Sequence, residues 1–257
     1  TPEQLTLLRT CSVYQALRSM ERTEWIEKPY HPAGFLPCLP REIPQDSEAL
    51  QTQGGVFSKG RFYVRRTTPI PYTHVLATPV FGTQLTDRTL GFTWAVNCRE
   101  NKLTPWQGDI AAPNRGEALL LRINGKIYSL TDGALCSFSP QDARYEGQAG
   151  PVHFCLTVSL DVKAPVKILE VRLRQDGQTP LQAQCAYYLE PVLGVERGIT
   201  NGLIFRREDT GELVIENPMN SAVSSVCAVG CCADAVCSND RARALCGEWE
   251  PDLTATR

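Results

Sequence analysis

Residues 152–162 read VHFCLTVSLDV. Val152, Phe154, Leu156, Val158, Leu160 and Val162 alternate with His153, Cys155, Thr157, Ser159 and Asp161, a two-residue period held over eleven positions. Successive side chains of a strand point to opposite faces, so the stretch predicts an antiparallel strand with one face buried and one wet. The next segments behave alike. Leu169, Val171 and Leu173 alternate with Glu170, Arg172 and Arg174, and Leu181, Ala183, Cys185, Tyr187 and Leu189 repeat the spacing. Between these two runs, Gln175–Asp176–Gly177–Gln178 has the composition of a hairpin turn.

Working outward, two more hairpins carry their own turn residues. Leu119–Leu120–Leu121–Arg122–Ile123 faces Lys126–Ile127–Tyr128 across Asn124–Gly125, a pair that tolerates positive φ. Leu203–Ile204–Phe205 faces Leu213–Val214–Ile215 across Glu208–Asp209–Thr210–Gly211. Many strands at short spacing, with almost no helical periodicity, predict a mainly β sandwich or barrel. The N-terminus reads differently. Thr1 and Pro2 suit a helix start, and Leu5, Leu8, Ala16, Leu17 and Met20 share one face, predicting a short helix to about residue 22. Pro29, Pro32, Pro37, Pro40 and Pro44 then remove backbone donors and predict an extended linker. The expected division is residues 1–53 as helix and linker, and 54–257 as the β domain.

The chain has 257 residues, a net charge of −2, 42% hydrophobic and 21% charged residues, a globular balance with no basic footprint for nucleic acid. No apolar run reaches the length of a membrane span, and no signal-peptide core opens the chain. It starts at Thr1 rather than Met and is expected to be a piece of a longer polypeptide. Eleven cysteines are scattered through a chain too long and strand-rich for a disulfide scaffold, which favours a reducing, cytoplasmic compartment.

Chemistry-bearing patterns are sparse. There is no Gly-x-Ser-x-Gly elbow and no phosphate-binding glycine loop. His31, His74 and His153 have no metal-ligand spacing, and His153 falls on the polar side of its strand. Cys227, Cys231, Cys232, Cys237 and Cys246 lack the C-x2-C knuckle of a zinc site and lie in a small, apolar run, so they read as packing thiols. No catalytic residue and no metal ligand is assigned. Residues 69–121 are richer. Tyr72, Phe81, Phe92, Trp94 and Trp106 are mixed with Arg99, Glu100 and Asn101. Sugars are held by aromatic faces and planar polar groups in this way, although aromatics and charges in a strand and loop also serve packing and solvation.

The same segment carries a family resemblance. GFTWAVNCRENKLTPWQGD (91–109), followed by GEALLLR (116–122), is similar to a block of glycoside hydrolase family 94. Within that family it resembles the C-terminal region of cyclic β-1,2-glucan synthases. GGVFSKGRFYV (54–64) and PYTHVLATPVFG (71–82) precede it in the family's order. PVKILEVRLR (165–174), AYYLEPVLGVER (186–197), GELVIENPMN (211–220) and SNDRARALCG (238–247) follow. The resemblance implies an antiparallel β-supersandwich of the galactose-mutarotase-like type, the module that precedes an (α/α)6 catalytic barrel. It also implies that the parent is a glycosyltransferase or inverting glycoside phosphorylase acting on β-glucans. Inorganic phosphate would be its co-substrate, and the acid would be an Asp of the barrel that nothing here matches.

By position in the motif, Trp94, Arg99, Glu100, Asn101 and Trp106 are then the residues expected to face a β-glucan oligosaccharide. The resemblance implies no cofactor for this chain, a homodimer contact, and a parent associated with the inner membrane, this module on its cytoplasmic side. The sequence departs from the block at His74 and Thr78 for asparagines, Cys98 for serine, Gln107–Gly108 for Ser–Asn, and Pro191 for tryptophan. Two other readings stay open: a scaffold that never touches sugar, and a mutarotase-like epimerase built on a His–Glu pair.

Overall fold

The computed structural model describes residues 35–65, 70–106, 116–177, 180–195, 202–209, 211–220 and 225–231. The expected N-terminal helix, His31, Gln107–Gly108, Cys232, Cys237 and Cys246 lie outside the described residues. All regular elements among the described residues are strands, and their pairings are antiparallel. No described helix is long and apolar enough to cross a membrane.

The described residues fall into two compact units. Gly34–Arg197 contains fourteen strands: β1 (Leu39–Pro40), β2 (Leu50–Gln51), β3 (Gly55–Ser58), β4 (Arg61–Val64), β5 (Thr73–Ala77), β6 (Phe81–Thr86), β7 (Phe92–Ala95), β8 (Glu117–Ile123), β9 (Lys126–Ser129), β10 (Leu135–Phe138), β11 (Asp142–Ala149), β12 (Val152–Leu160), β13 (Lys167–Gln175) and β14 (Ala183–Leu189). Eight of them form one sheet in the order β13-β12-β11-β10-β4-β3-β2, with β1 on β11. Two three-stranded sheets, β14-β8-β9 and β5-β6-β7, complete the unit.

The second unit contributes β15 (Ile204–Arg207), β16 (Leu213–Asn217) and β17 (Ser225–Val229), a three-stranded sheet. Its first hairpin joins Phe205 to Ile215, as the sequence pattern expects.

The alternation of β12 is realised closely. Val152, Phe154, Leu156 and Val158 are buried, and the residues between them are half-exposed. They meet Leu119, Leu121 and Ile123 of β8 and Leu76 and Leu85 of β5 and β6 in one core. Full burial of a leucine contributes about 1.5–3 kcal/mol, so the fully buried Leu85, Leu90, Leu121, Leu130 and Leu156 anchor the layers. The type I′ turn is present, with Asn124 at φ 48° and Gly125 at 78°.

Two details differ from the sequence reading. β12 stops at Leu160, because the Asp161 carboxylate accepts the amides of Lys163 and Ala164 in a turn. Val162 is therefore 85% exposed. The hairpin expected at residues 175–178 does not join neighbours either. β13 pairs with β12, whereas β14 pairs along its length with β8, Tyr187 opposite Leu119. Alternation says which side chains turn inward, not which sheet a strand enters.

A measurable consequence follows from the difference between residues 156 and 162. Leu156→Ala should lower unfolding stability by about 2–5 kcal/mol, and Val162→Ala should change it by less than about 0.5 kcal/mol. Urea denaturation of the two variants separates them.

Candidate functional site

The site residues expected from sequence cluster around β7 and the loop that follows it. On β6 and β7, Thr83 and Thr93 lie opposite each other and are buried, while Gly82 lies opposite Trp94 and Gln84 opposite Phe92 on the other face. Gly82 decides how Trp94 sits. A Cβ at Gly82 would come within 2.3 Å of the indole Cζ2 atom, so only a bare backbone lets the ring lie there. Phe92 packs next to it with ring centroids 5.1 Å apart, and Trp106 stands 6.4 Å from Phe92. Trp94 is half-buried and Trp106 is 53% exposed. Three rings thus lie together on the face of the β5-β6-β7 sheet opposite Thr83 and Thr93, with Phe92 buried, Trp94 half-buried and Trp106 open to solvent.

The loop beyond β7 is held tightly. Val96 takes φ 64° and donates its amide to the Val80 carbonyl at 2.6 Å. A β-branched residue in that region stores about 1–3 kcal/mol of strain. Asn97 Oδ1 accepts the amides of Arg99 and Glu100 at 2.8 and 3.1 Å. Lys102 exchanges backbone bonds with Gly194, and its Nζ donates to the carbonyls of Arg99 and Val195.

The structure therefore treats the five expected residues differently. Arg99 is exposed and forms an ion pair with the half-buried Glu100 at 3.3 Å. Asn101 is only 3% exposed; its amide donates to the Ala95 carbonyl, closing the loop from inside. Trp94 and Trp106 belong to the aromatic row, joined through Phe92.

Sequence reasoning missed a second constellation beneath that row. Glu117, at the start of β8, is 2% exposed. Its Oε1 accepts the hydroxyls of Thr93 and Thr104, each at 2.6 Å. Its Oε2 accepts Lys167 Nζ at 2.6 Å and the Tyr187 hydroxyl at 2.9 Å. Lys167 also donates to Thr83, Thr93 and the Leu90 carbonyl. Four donors saturate the carboxylate, so the pair is built to hold strands rather than to exchange protons with a ligand. A signal did exist. Lys167 shares its strand parity with the inward-facing Leu169 and Val171, and Glu117 opens an otherwise apolar run.

The described histidines have structural partners. His74 Nε2 lies 2.8 Å from the Ser139 carbonyl, and its ring stacks on Phe138 at 4.9 Å. Partial burial pushes its pKa below the usual imidazole value; the Ser139 carbonyl and Asp142 oppose that, and Arg61 adds to it. His153 pairs with Asp176 at 3.1 Å on the wet face of β12. Among the described residues no three His, Cys, Asp or Glu side chains converge as metal ligands. Cys227 is half-buried on β17, and Cys231 is exposed.

Four of the motifs quoted from the sequence place a residue on the Glu117 pair: Thr93 and Thr104 from residues 91–109, Glu117 from 116–122, Lys167 from 165–174, Tyr187 from 186–197. A family model described as "Glycosyl hydrolase 94, supersandwich domain" matches residues 60–241. The chain belongs to this family. One relative is the cyclic beta-(1,2)-glucan synthase NdvB of Rhizobium meliloti (strain 1021), 28% identical over 193 residues. The alignment covers 68% of this chain and 7% of that protein, so the chain spans a small part of its relative's length. As a glycosyl hydrolase 94 supersandwich domain, the protein uses its ordered motifs first to lock three sheets around one buried charge pair.

Removing either charge should be far worse than removing both. Glu117→Gln and Lys167→Met should each cost about 3–5 kcal/mol, while the double variant loses clearly less than their sum in urea titrations. A second effect concerns pH. The depressed pKa of His74 means that its contribution is fully present above the unfolded imidazole value and is lost as pH falls through the folded one. Between about pH 7.5 and pH 5, wild type should lose more stability than His74→Asn, read as the shift in urea midpoint.

Proposed function

We propose that this supersandwich domain is a carbohydrate-binding module without chemistry of its own. It holds a β-glucan oligosaccharide for a family 94 catalytic barrel carried by the same polypeptide. The observation that carries this reading is the row Trp94–Phe92–Trp106, with Trp94 seated on Gly82 and Trp106 open to solvent. The apolar face of a pyranose packs on such rings, and the neighbouring Arg99–Glu100 pair supplies donors and acceptors for hydroxyls. The name of the relative points to β-1,2-linked glucose as the substrate class. The parent enzyme on this reading is a glycosyltransferase or an inverting phosphorylase. In the second case inorganic phosphate attacks and the barrel supplies the acid. The compartment is cytoplasmic, where the exposed thiols of Cys98 and Cys231 stay reduced.

A second reading has an observation of its own. Asn101 and Glu117, both within the family motifs, are spent on internal bonds, which favours a scaffold that positions the barrel and never touches sugar.

Tryptophan fluorescence decides between them. Titration of the chain with β-1,2-gluco-oligosaccharides should give a saturable change, and Trp106→Ala should weaken binding by about tenfold, or ~1.4 kcal/mol. Gly82→Val should act like the loss of Trp94 by lifting its ring. A flat titration of the folded chain selects the scaffold.

A further inference from the structure

The turn between β6 and β7 carries a second charge pair, built unlike the first. The Asp87 side chain is 3% exposed, and its Oδ2 lies 3.8 Å from Arg88 Nε, too far for a hydrogen bond. Asp87 Oδ1 and Arg88 Nε and Nη2 are buried without a hydrogen-bond partner. Glu117 holds four donors, whereas this carboxylate has an oxygen with none. A buried charge left short of bonds is costly, and a native structure that keeps one stores strain there.

The turn itself is closed by a few identifiable bonds. The Tyr145 hydroxyl of β11 donates to the Thr86 carbonyl at 2.7 Å, and the Thr89 carbonyl is 3.2 Å away. The Asp87 amide donates to the Tyr72 carbonyl at 3.0 Å. Thr86 Oγ1 accepts the amides of Arg88 and Thr89. The Leu90 carbonyl accepts Lys167 Nζ, and Phe92 and Trp94 follow directly on β7.

We propose that Asp87 is a proton-controlled latch on this turn: neutral, it lets the turn stay closed on β10 and β11, and ionised, it drives the turn open so that both charges reach water. The proton exchanges with solvent. Cys136 of β10 and Tyr145 of β11 lie within electrostatic reach of the carboxylate, with Arg61 of β4 beside Cys136 and Glu117 of β8 beside Tyr145. Burial raises the pKa of Asp87 above the usual carboxylate value against the pull of Arg88 and of the backbone amides of Asp87 and Tyr72. Its contribution to closure is fully present below the unfolded carboxylate value and is lost as pH rises through the folded one. The sign is opposite to that of His74. Opening loosens the start of β7, so the latch acts on the aromatic row whether or not that row takes sugar.

Native-state hydrogen exchange on the 257-residue chain, normalised to intrinsic rates, tests this. Between about pH 5 and about pH 7.5 the amides of Thr86 and Asp87 should lose about tenfold in protection, while that of Leu156 in β12 changes by less than about twofold. Asp87→Asn, a neutral side chain of the same shape, should keep the turn equally protected at both pH values. Arg88→Met removes the cation beside the carboxylate and should enlarge the loss. Protection at residues 86 and 87 that does not depend on pH in the wild type overturns the proposal. So does a loss that persists in Asp87→Asn or shrinks in Arg88→Met.

Discussion

One buried ion pair ties this supersandwich together. Glu117 and Lys167 sit almost out of contact with solvent, where an unpaired charge costs several kcal/mol. The chain tolerates them there because the hydroxyls of Thr93, Thr104 and Tyr187 and the carbonyl of Leu90 complete their bonding. Glu117 and Lys167 come from β8 and β13, and the groups that complete them come from β7, its flanking loops and β14. All three sheets of the larger unit therefore have a strand committed to one point. Apolar packing alone permits sliding between layers, whereas a saturated polar cluster permits one arrangement.

The candidate sugar platform is a surface consequence of that lock. Thr93 turns to Glu117, so its neighbours Phe92 and Trp94 lie on the opposite face of β7, Phe92 buried and Trp94 half-buried. Gly82 leaves space for the indole, and the loop 96–106 is fastened to Thr93, Val192 and Gly194 by backbone bonds. The strain at Val96 is carried by this rigid surround, and the result is a loop whose shape is set before any ligand arrives.

The polar residues of the family motifs divide into those that hold the frame and those that remain available. Asn101 and Glu117 hold it. Arg99 and Trp106 stay open at the surface, and the half-buried Glu100 pairs with Arg99. Motif membership alone did not distinguish the two sets, because a buried carboxylate with four donors and a ligand-facing one look the same in a linear string.

The sequence by itself determined the β class, the inward faces of β12 and β13, the Asn124–Gly125 turn and the family. These follow from local rules: two-residue periodicity, the positive φ that Asn and Gly accept, and an ordered set of motifs. Only the tertiary structure decided that β14 leaves β13 for β8, that Lys167 reaches Glu117 across fifty residues, and that Trp94 rests on Gly82. Each of these joins residues distant along the chain or on different strands, and alternation carries no information about which strand lies alongside which.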